Sequence, residues 1–265
     1  MEKDLCQKIR EEAPLIHCIT NPISMMQCAN SILALGARPI MAEHPLEVKD
    51  ITKSAKALVL NFGNITDARL EAMGVSYKAA RKNGIPTVID AVGAACSKLR
   101  REYIKKLIDK NEDLKMPLLV KGNYSEIQAL LHDNYKASGV DADKELTYEE
   151  VCDSAIKLAK DKKVIVLASG KEDIVTDGKM IATVSNGVEK LGKVTGTGCM
   201  LGVICGCFFS QESSIRACVR ACAALGISSE KAKEDVFILR VIDELSLLTD
   251  KEIDERMKVK WTEIV

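Results

Sequence analysis

The sequence predicts a three-layer α/β fold with a mostly parallel central sheet and a helical C-terminal tail. Short β-rich runs alternate with longer helical stretches along the first two thirds of the chain. Two of the runs, Ala57–Asn61 and Val164–Ser169, are almost wholly apolar, as expected of strands covered by helices on both faces. After Thr197 the chain has helical patterns to about residue 257. Strand–helix alternation of this kind is typical of a layered, mainly parallel sheet.

The candidate strands are, in chain order, Leu15–Thr20, Arg38–Met41, Ala57–Asn61, Pro86–Asp90, Leu118–Lys121, Val164–Ser169, Ile174–Thr176 and Met180–Val184. The helical stretches between them lie at about 22–35, 45–55, 66–82, 97–110, 124–131 and 147–161. Asn21 and Pro22 are expected to be the N-cap and first residue of the helix at 22–35. Asp177 and Gly178 predict a hairpin between the last two strands.

The chain is expected to form one domain. It has no Pro/Gly/Ser-rich linker, internal repeat or low-complexity tract, so residues 1–265 are assigned to a single unit. The polar stretch Asn134–Glu150 predicts a surface loop that leads into a helix.

Charge and composition exclude several classes of partner. The 38 Lys and Arg residues balance 38 Asp and Glu residues, which argues against binding of nucleic acid or an anionic membrane. The longest apolar stretch, Cys199–Phe209, is shorter than the ~20 residues a membrane span needs. The charged opening MEKDLCQKIREEA does not resemble a signal peptide. A cytoplasmic protein is therefore expected.

The ten cysteines predict free thiols in a reducing compartment. Their spacing fits neither a zinc site nor the disulfide framework of a small secreted domain. Cys199 is the exception, because it falls in the first turn of a predicted helix, where the helix N-terminus stabilises a thiolate. A hydrolase built on this thiol would need a histidine partner, for which His17 lies at a strand end; such a histidine is more often structural.

The segment Thr195–Cys199 predicts an anion-binding site. Its two glycines and two hydroxyls precede an apolar helix, whose first backbone N–H groups lack partners and suit a phosphate. It is not a P-loop, because GxxxxGK[ST] is absent. Two alternatives remain open: a dinucleotide site of an NADP-linked oxidoreductase, using the glycine pattern Gly196–Gly202, or a glycine-rich turn needed only for packing.

A second motif, Lys121–Glu126, follows a strand and begins a helix. Glu126 is either the acidic partner of a capping box or a carboxylate that holds hydrated Mg²⁺. Asp90, at the end of its strand, is a candidate second carboxylate for the same ion. Because ligands of such sheets bind at the carboxyl ends of the strands, these residues and Thr195–Cys199 are expected to meet there. Two carboxylates, a lysine and an anion site indicate phosphoryl transfer.

Taken together, these motifs resemble the hydroxyethylthiazole kinases, thiamine-salvage members of the ribokinase-like superfamily. The resemblance extends through most of the chain, in family order, and its segments are PLIHCITNPIS (14–24), ANSILALGARPIMA (29–42), ALVLNFGNIT (57–66), GIPTVIDAVGA (84–94), KGNYSEI (121–127), VIVLASGKEDIV (164–175) and VTGTGCML (194–201).

The resemblance implies a ribokinase-like fold, a homotrimer, and phosphorylation of 4-methyl-5-(2-hydroxyethyl)thiazole by ATP with Mg²⁺. Cys199 then stands where ribokinase-like enzymes usually carry an aspartate base. The other positions it implies are Met41 and Gly196, with Asn21 nearby, for the thiazole; Lys121, Ser169, Thr195 and Gly198 for ATP; and Asp90 and Glu126 for Mg²⁺, through water.

Three positions depart from the family pattern. Lys121 replaces the usual arginine, which keeps the charge but loses planar bidentate geometry. Ser169 replaces a threonine and keeps its hydroxyl, and Ala91 replaces a proline after Asp90. A non-catalytic homologue that binds thiazole or thiamine compounds is a further alternative, although it would need neither the carboxylates nor Cys199.

Overall fold

The computed structural model describes residues 4–111, 116–132, 135, 146–232 and 236–264. The helices are α1 (Leu5–Glu12), α2 (Met25–Ala34), α3 (Val48–Ser54), α4 (Asp67–Asn83), α5 (Lys98–Asp109), α6 (Tyr124–Leu131), α7 (Tyr148–Lys162), α8 (Thr197–Phe209), α9 (Ile215–Lys231), α10 (Phe237–Leu247) and α11 (Asp250–Arg256). The strands are β1 (Leu15–Ile19), β2 (Arg38–Ile40), β3 (Ala57–Asn61), β4 (Thr87–Asp90), β5 (Leu118–Asn123), β6 (Ile165–Ser169), β7 (Asp173–Thr176), β8 (Met180–Val184) and β9 (Val259–Glu263).

All these strands form one sheet in the order β2-β1-β3-β4-β5-β6-β7-β8-β9. Neighbours from β2 to β6 are parallel, and those from β6 to β9 are antiparallel. This arrangement confirms the predicted α/β fold with its mostly parallel centre. The predicted hairpin at Asp177 and Gly178 joins β7 to β8, and Gly178 has a φ of 84° there.

Helices cover both faces of the sheet, which explains why its central strands are apolar over most of their length. In β3, Ala57 and Val59 belong to one buried apolar cluster, together with residues of α8 and α9. The intervening Leu58 and Leu60 belong to a second cluster, with residues of α4, α5 and α7. Alternate side chains of a strand point to opposite faces, so β3 must be apolar on both.

Three local features differ from the sequence-based expectation. Helix α2 begins at Met25 with Ser24 as its N-cap, so Asn21 and Pro22 precede the helix rather than open it. The Asn21 Oδ1 still accepts from the backbone N–H groups of Ile23 and Ser24, at 3.1 and 3.2 Å. Helix α1 was not predicted. The helical tail ends at Arg256, and the unpredicted strand β9 pairs with β8 at the sheet edge.

The signal for β9 is short, because Val259 and Trp261 alternate with Lys260 and Thr262 over only five residues, four of which are exposed. Most of the predicted loop at 134–150 lies outside the described residues. Within the described part of the chain, no helix combines the length and apolar character that a membrane crossing requires.

All ten cysteines are free thiols within the described residues, as predicted. Cys96 is exposed, Cys199 is partly exposed, and the others are buried.

His17 is a structural residue and not the partner of a reactive thiol. It is fully buried in β1, with Nδ1 2.9 Å from the Thr52 hydroxyl and Nε2 3.0 Å from the Ala42 carbonyl oxygen. Burial lowers the pKa of the imidazole, against the opposing effects of the Ala42 carbonyl and Glu47. The folded protein therefore holds the His17 imidazole neutral, where it links β1 to Thr52 of α3.

This environment predicts a loss of stability in mild acid. The unfolded chain protonates His17 below about pH 6.5, whereas the folded imidazole resists the proton, so the unfolding free energy falls as the pH drops through and below that value. We expect the decrease in urea midpoint from about pH 7.5 to about pH 5 to be smaller in His17→Gln than in the native protein. Other titrating groups are common to both proteins and cancel in the comparison. Equal decreases would show that His17 does not contribute.

Candidate active site

Polar side chains converge where four neighbouring strands end. Asn61 in β3 lies opposite Asp90 in β4, and Asp90 lies opposite Lys121 in β5. Residues in register on adjacent strands point to the same face of the sheet. Asn21 follows β1, the strand on the other side of β3, and Cys199 approaches from the first turn of α8.

These five side chains form a continuous hydrogen-bonded chain. The Lys121 ammonium donates to Asp90 Oδ1 at 2.9 Å, and the Asn61 amide donates to Asp90 Oδ2 at 2.8 Å. The Asn21 amide donates to Asn61 Oδ1 at 3.0 Å and to the Cys199 Sγ at 3.5 Å. All except Cys199 are buried. The structure therefore brings together four residues assigned a role from the sequence and adds Asn61, a strand-end residue to which sequence reasoning gave no role.

The start of helix α8 is a glycine turn that lies close to the Lys121 ammonium. Its N-cap, Gly196, has a φ of 94°, and a Cβ there would lie 2.7 Å from Gln27 Oε1, so the turn requires glycine. The N–H groups of the first turn lack intrahelical acceptors. A Cβ on Gly198 would lie 3.7 Å from the Lys121 Nζ, which places the ammonium beside these amides. Cation and helix N-terminus thus face one region, suited to a phosphate.

The glycine pattern Gly196–Gly202 allows close packing around the start of α8 and does not support the dinucleotide alternative. A Cβ on Gly202 would lie 3.0 Å from Asp90 Oδ2, so α8 can approach the carboxylate only without a side chain there. In addition, α8 follows the 3₁₀ segment Glu189–Lys193 and not a strand, whereas the dinucleotide fingerprint begins directly after a strand.

Glu126 forms the capping box that the sequence allowed. Its Oε2 accepts from the Asn123 N–H and its Oε1 from the Gly93 N–H, both at 2.7 Å, while Asn123 Oδ1 accepts from the Glu126 N–H at 2.9 Å. Burial and the nearby Asp90 carboxylate raise the pKa of Glu126 to about 7, although the two backbone amides and Lys121 oppose the rise. The capping interaction and a role toward a cation are compatible, because carboxylate oxygens each have a second lone pair.

Lys121 is charged despite its burial. Burial disfavours the ammonium, but the Asp90 carboxylate at 2.9 Å outweighs that effect and raises the pKa of Lys121 above its usual range. For Asp90, burial raises the pKa of the carboxyl, and the Lys121 ammonium and the Asn61 amide oppose the rise. The two groups form a buried ion pair.

Asp90 and Glu126 fit a hydrated Mg²⁺ held through its own waters. Each of their four carboxylate oxygens already accepts one hydrogen bond from the protein. A second lone pair on each oxygen remains for a metal-bound water, and Mg²⁺ normally keeps several waters. Among the described residues there is no cluster of three or more His, Cys, Asp or Glu side chains that would form an all-protein shell.

The remaining sequence-predicted residues lie around this centre with fewer contacts. Ser169 ends β6 in register with Asn123, and its hydroxyl donates to the Gly122 carbonyl at 3.2 Å. The Thr195 carbonyl accepts from the Gln27 amide at 3.4 Å. Met41 follows β2 and packs against the same apolar cluster as Cys199. The structure gives no polar contact between Met41, Ser169 or Thr195 and the chain of hydrogen bonds described above.

Comparison with known proteins identifies the family of the chain. The family model described as "Hydroxyethylthiazole kinase family" matches residues 6–251. The chain is 39% identical to hydroxyethylthiazole kinase 2 of Clostridium botulinum, over 97% of this chain and 98% of that protein.

Solved structures extend the likeness to three dimensions. A hydroxyethylthiazole kinase from Pyrococcus horikoshii superposes with a TM-score of 0.87 at 32% identity, covering 98% of each chain. Staphylococcus aureus pyridoxal kinase in complex with pyridoxal, at 15% identity, shares the fold with a TM-score of 0.63 over 94% of this chain and 98% of that chain. On the family match, the sequence identity and the structural likeness together, the chain belongs to the hydroxyethylthiazole kinase family.

Proposed function

We propose that the protein transfers the γ-phosphoryl group of ATP to the hydroxyl of 4-methyl-5-(2-hydroxyethyl)thiazole, a salvage step of thiamine biosynthesis. The substrate is the one named in the family's description. The observation that carries the proposal is the position of the Cys199 sulfur, in the first turn of α8, beside the buried Lys121–Asp90 pair.

The Cys199 sulfur is proposed to accept the proton of the substrate alcohol. The alcohol oxygen forms a bond to the γ-phosphorus, the bond from that phosphorus to the β–γ bridging oxygen breaks, and ADP leaves. Charge on the transferred group is stabilised by the α8 amides of Gly198 and its neighbours and by the Lys121 ammonium. Lys121, Ser169, Thr195 and Gly198 are proposed to bind ATP.

Asp90 and Glu126 are proposed to hold Mg²⁺ through its waters. The bound ion would neutralise phosphate charge next to Lys121. Their unused lone pairs, close to the Lys121 ammonium, support this assignment. The thiazole is proposed to lie against Met41 and Gly196, with Asn21 beside it. Met41 supports this, because it offers a partly buried apolar surface on the cluster that Cys199 also contacts.

The remaining proposals concern the context in which the enzyme works. We propose a single domain, supported by the one continuous sheet of the described residues. A homotrimer is proposed from the resemblance, and exposed apolar side chains in and before α2, Ile23, Met26 and Leu33, support contact with another subunit. A cytoplasmic location is supported by the ten free thiols.

The function is tested by a coupled assay of ADP release with ATP, Mg²⁺ and a panel of heteroaromatic alcohols. We expect release with hydroxyethylthiazole and none with 4-methyl-5-ethylthiazole, which lacks the accepting hydroxyl. Binding of the thiazole without ADP release would favour the non-catalytic homologue. Quenching or shift of NADPH fluorescence on addition of the protein, with no response to ATP, would favour the oxidoreductase.

A further inference from the structure

We propose that Asn61 is a positioning residue, which directs the Asn21 amide at the Cys199 sulfur and at the same time holds the Asp90 carboxylate. Asn61 is 1% exposed and is the link through which the thiol and the carboxylate are joined. The inference deepens the proposed function and rests on it, because it explains how the sulfur is prepared to receive a proton.

The orientation of the Asn61 amide is determined by its backbone neighbour. The Gly63 N–H donates to Asn61 Oδ1 at 2.9 Å, and a backbone N–H can only donate. The oxygen must therefore face Gly63, so the nitrogen faces Asp90 Oδ2, where it donates at 2.8 Å. A flipped amide would place two donors against each other at Gly63 and two acceptors against each other at Asp90.

The same reasoning determines the orientation of Asn21. Its Oδ1 accepts from the N–H groups of Ile23 and Ser24, so its nitrogen must face Asn61 Oδ1 and the Cys199 Sγ. The donor and the acceptor of every hydrogen bond in the chain from Asp90 to Cys199 are thereby determined. The sulfur is an acceptor in its contact with Asn21.

Packing leaves these amides little room to turn. A Cβ on Gly63 would lie 2.9 Å from Asn61 Oδ1 and 3.0 Å from Asn21 Nδ2, so the backbone at Gly63 packs directly against both side chains. Breaking a buried hydrogen bond of this kind leaves a donor or an acceptor without a partner and away from water, which is unfavourable. Asn61 therefore keeps the Asn21 N–H directed at the Cys199 sulfur. There the N–H stabilises negative charge and leaves the remaining sulfur lone pairs for the substrate proton.

The test is the alkylation of cysteines by iodoacetamide in Asn61→Ser, followed site by site with mass spectrometry. Serine leaves space for a water that can satisfy Asp90 and Gly63 but cannot hold the Asn21 amide in place. We expect the alkylation rate of Cys199 to fall about threefold or more at neutral pH. The exposed Cys96 should react at the native rate, and the buried Cys205 and Cys207 should stay unmodified.

Asn111→Ser is the matched control. Asn111 is also buried, at 2% exposure, and its amide donates to the Met116 carbonyl at 2.8 Å, away from the Cys199 contacts. This variant should leave the Cys199 rate unchanged. In steady-state assays, kcat of Asn61→Ser should fall about tenfold and the KM for ATP should change less than about twofold.

A double-mutant cycle tests the route of the effect. If Asn61 acts through Asn21, then Asn61→Ser has no further effect on Cys199 alkylation in an Asn21→Ser background. An equal further fall in that background would overturn the proposal, as would a native Cys199 rate in the single variant. Asn61→Ala provides a second substitution at the same site. If Cys205 and Cys207 became reactive in both Asn61→Ser and Asn61→Ala but stayed unmodified in Asn111→Ser, Asn61 would be needed for folding itself. That result would overturn the positioning role.

The alkylation readout needs no turnover, so it is separable from the proposed function. A protein that alkylates as expected but releases no ADP would reject the kinase function and keep the positioning role. A native protein that releases ADP, together with an unchanged Cys199 alkylation rate in Asn61→Ser, would keep the kinase function and reject the positioning role.

Discussion

Replacing Cys199 by alanine is expected to lower kcat for phosphoryl transfer by about 10²–10³-fold, the range lost with a general base. The fold should persist, because Cys199 is partly exposed and not part of the buried core. Among the described contacts, its Sγ has one polar partner, the Asn21 amide. ADP release at saturating ATP and thiazole measures the effect, and the urea midpoint checks the fold.

Cys96→Ala is the control, since this thiol is exposed and its one described hydrogen bond is to the Gly93 carbonyl. Cys199→Asp distinguishes the two ways in which a thiol could act. A carboxylate can accept the alcohol proton, so activity is retained if Cys199 is a base; a covalent role predicts its loss. Full activity of Cys199→Ala would remove the sulfur from the chemistry.

Lys121→Met is expected to lower the unfolding free energy by about 3–5 kcal/mol, because it leaves a buried carboxylate without its ion-pair partner. Asp90 is fully buried, and the Asn61 amide alone would remain to stabilise its charge. Loss of the ammonium raises the pKa of Asp90 further. The deficit relative to the native protein should narrow as the pH is lowered and Asp90 takes up a proton.

Urea unfolding near neutral and at about pH 5 measures both effects. Lys53→Met is the matched control: the Lys53 ammonium also pairs with a carboxylate, that of Asp50 at 2.7 Å, but the pair is on the surface and its loss should not measurably change the unfolding free energy. Lys121→Met should also lose phosphoryl transfer. Lys121→Arg, which introduces the arginine that the resemblance implies as the usual residue, should keep it because the positive charge is retained. Native stability and native ATP affinity in Lys121→Met would contradict the assigned roles.

Much of the fold was predictable because its signals are local. The apolar strands Ala57–Asn61 and Val164–Ser169, the Asp177–Gly178 hairpin and the helix that opens after Gly196 all depend on residue type over a few positions. The predictions failed where local signals conflict or are weak. Asn21 and Pro22 have the composition of a helix start, but the Asn21 side chain instead bonds the backbone of the turn before α2. The exposed strand β9 has only a short alternation, with Val259 and Trp261 among polar residues.

The sequence indicated most residues of the candidate site but not the hydrogen bonds between them. Asp90, Lys121, Glu126 and Cys199 were found because polar residues directly after strands, or in the first turn of a helix, stand out from an apolar background. Asn61 has the same placement, at the end of β3, but an amide has no charge to suggest a role. Its register with Asp90 is what could have indicated it.

The sequence by itself determined the layers, the placement of the polar motifs at strand ends, and the glycine turn at the start of α8, because periodicity and glycine placement are short-range properties. Only the tertiary structure decided which atoms meet: Lys121 with Asp90, Asn61 between Asp90 and Asn21, and Asn21 against the Cys199 sulfur, which is 178 positions away. The Lys121–Asp90 and Asp90–Asn61 pairings depend on strand register, and a slip of one residue would turn these side chains to the opposite face. The Asn21–Cys199 contact depends on how helix α8 packs against the end of β1.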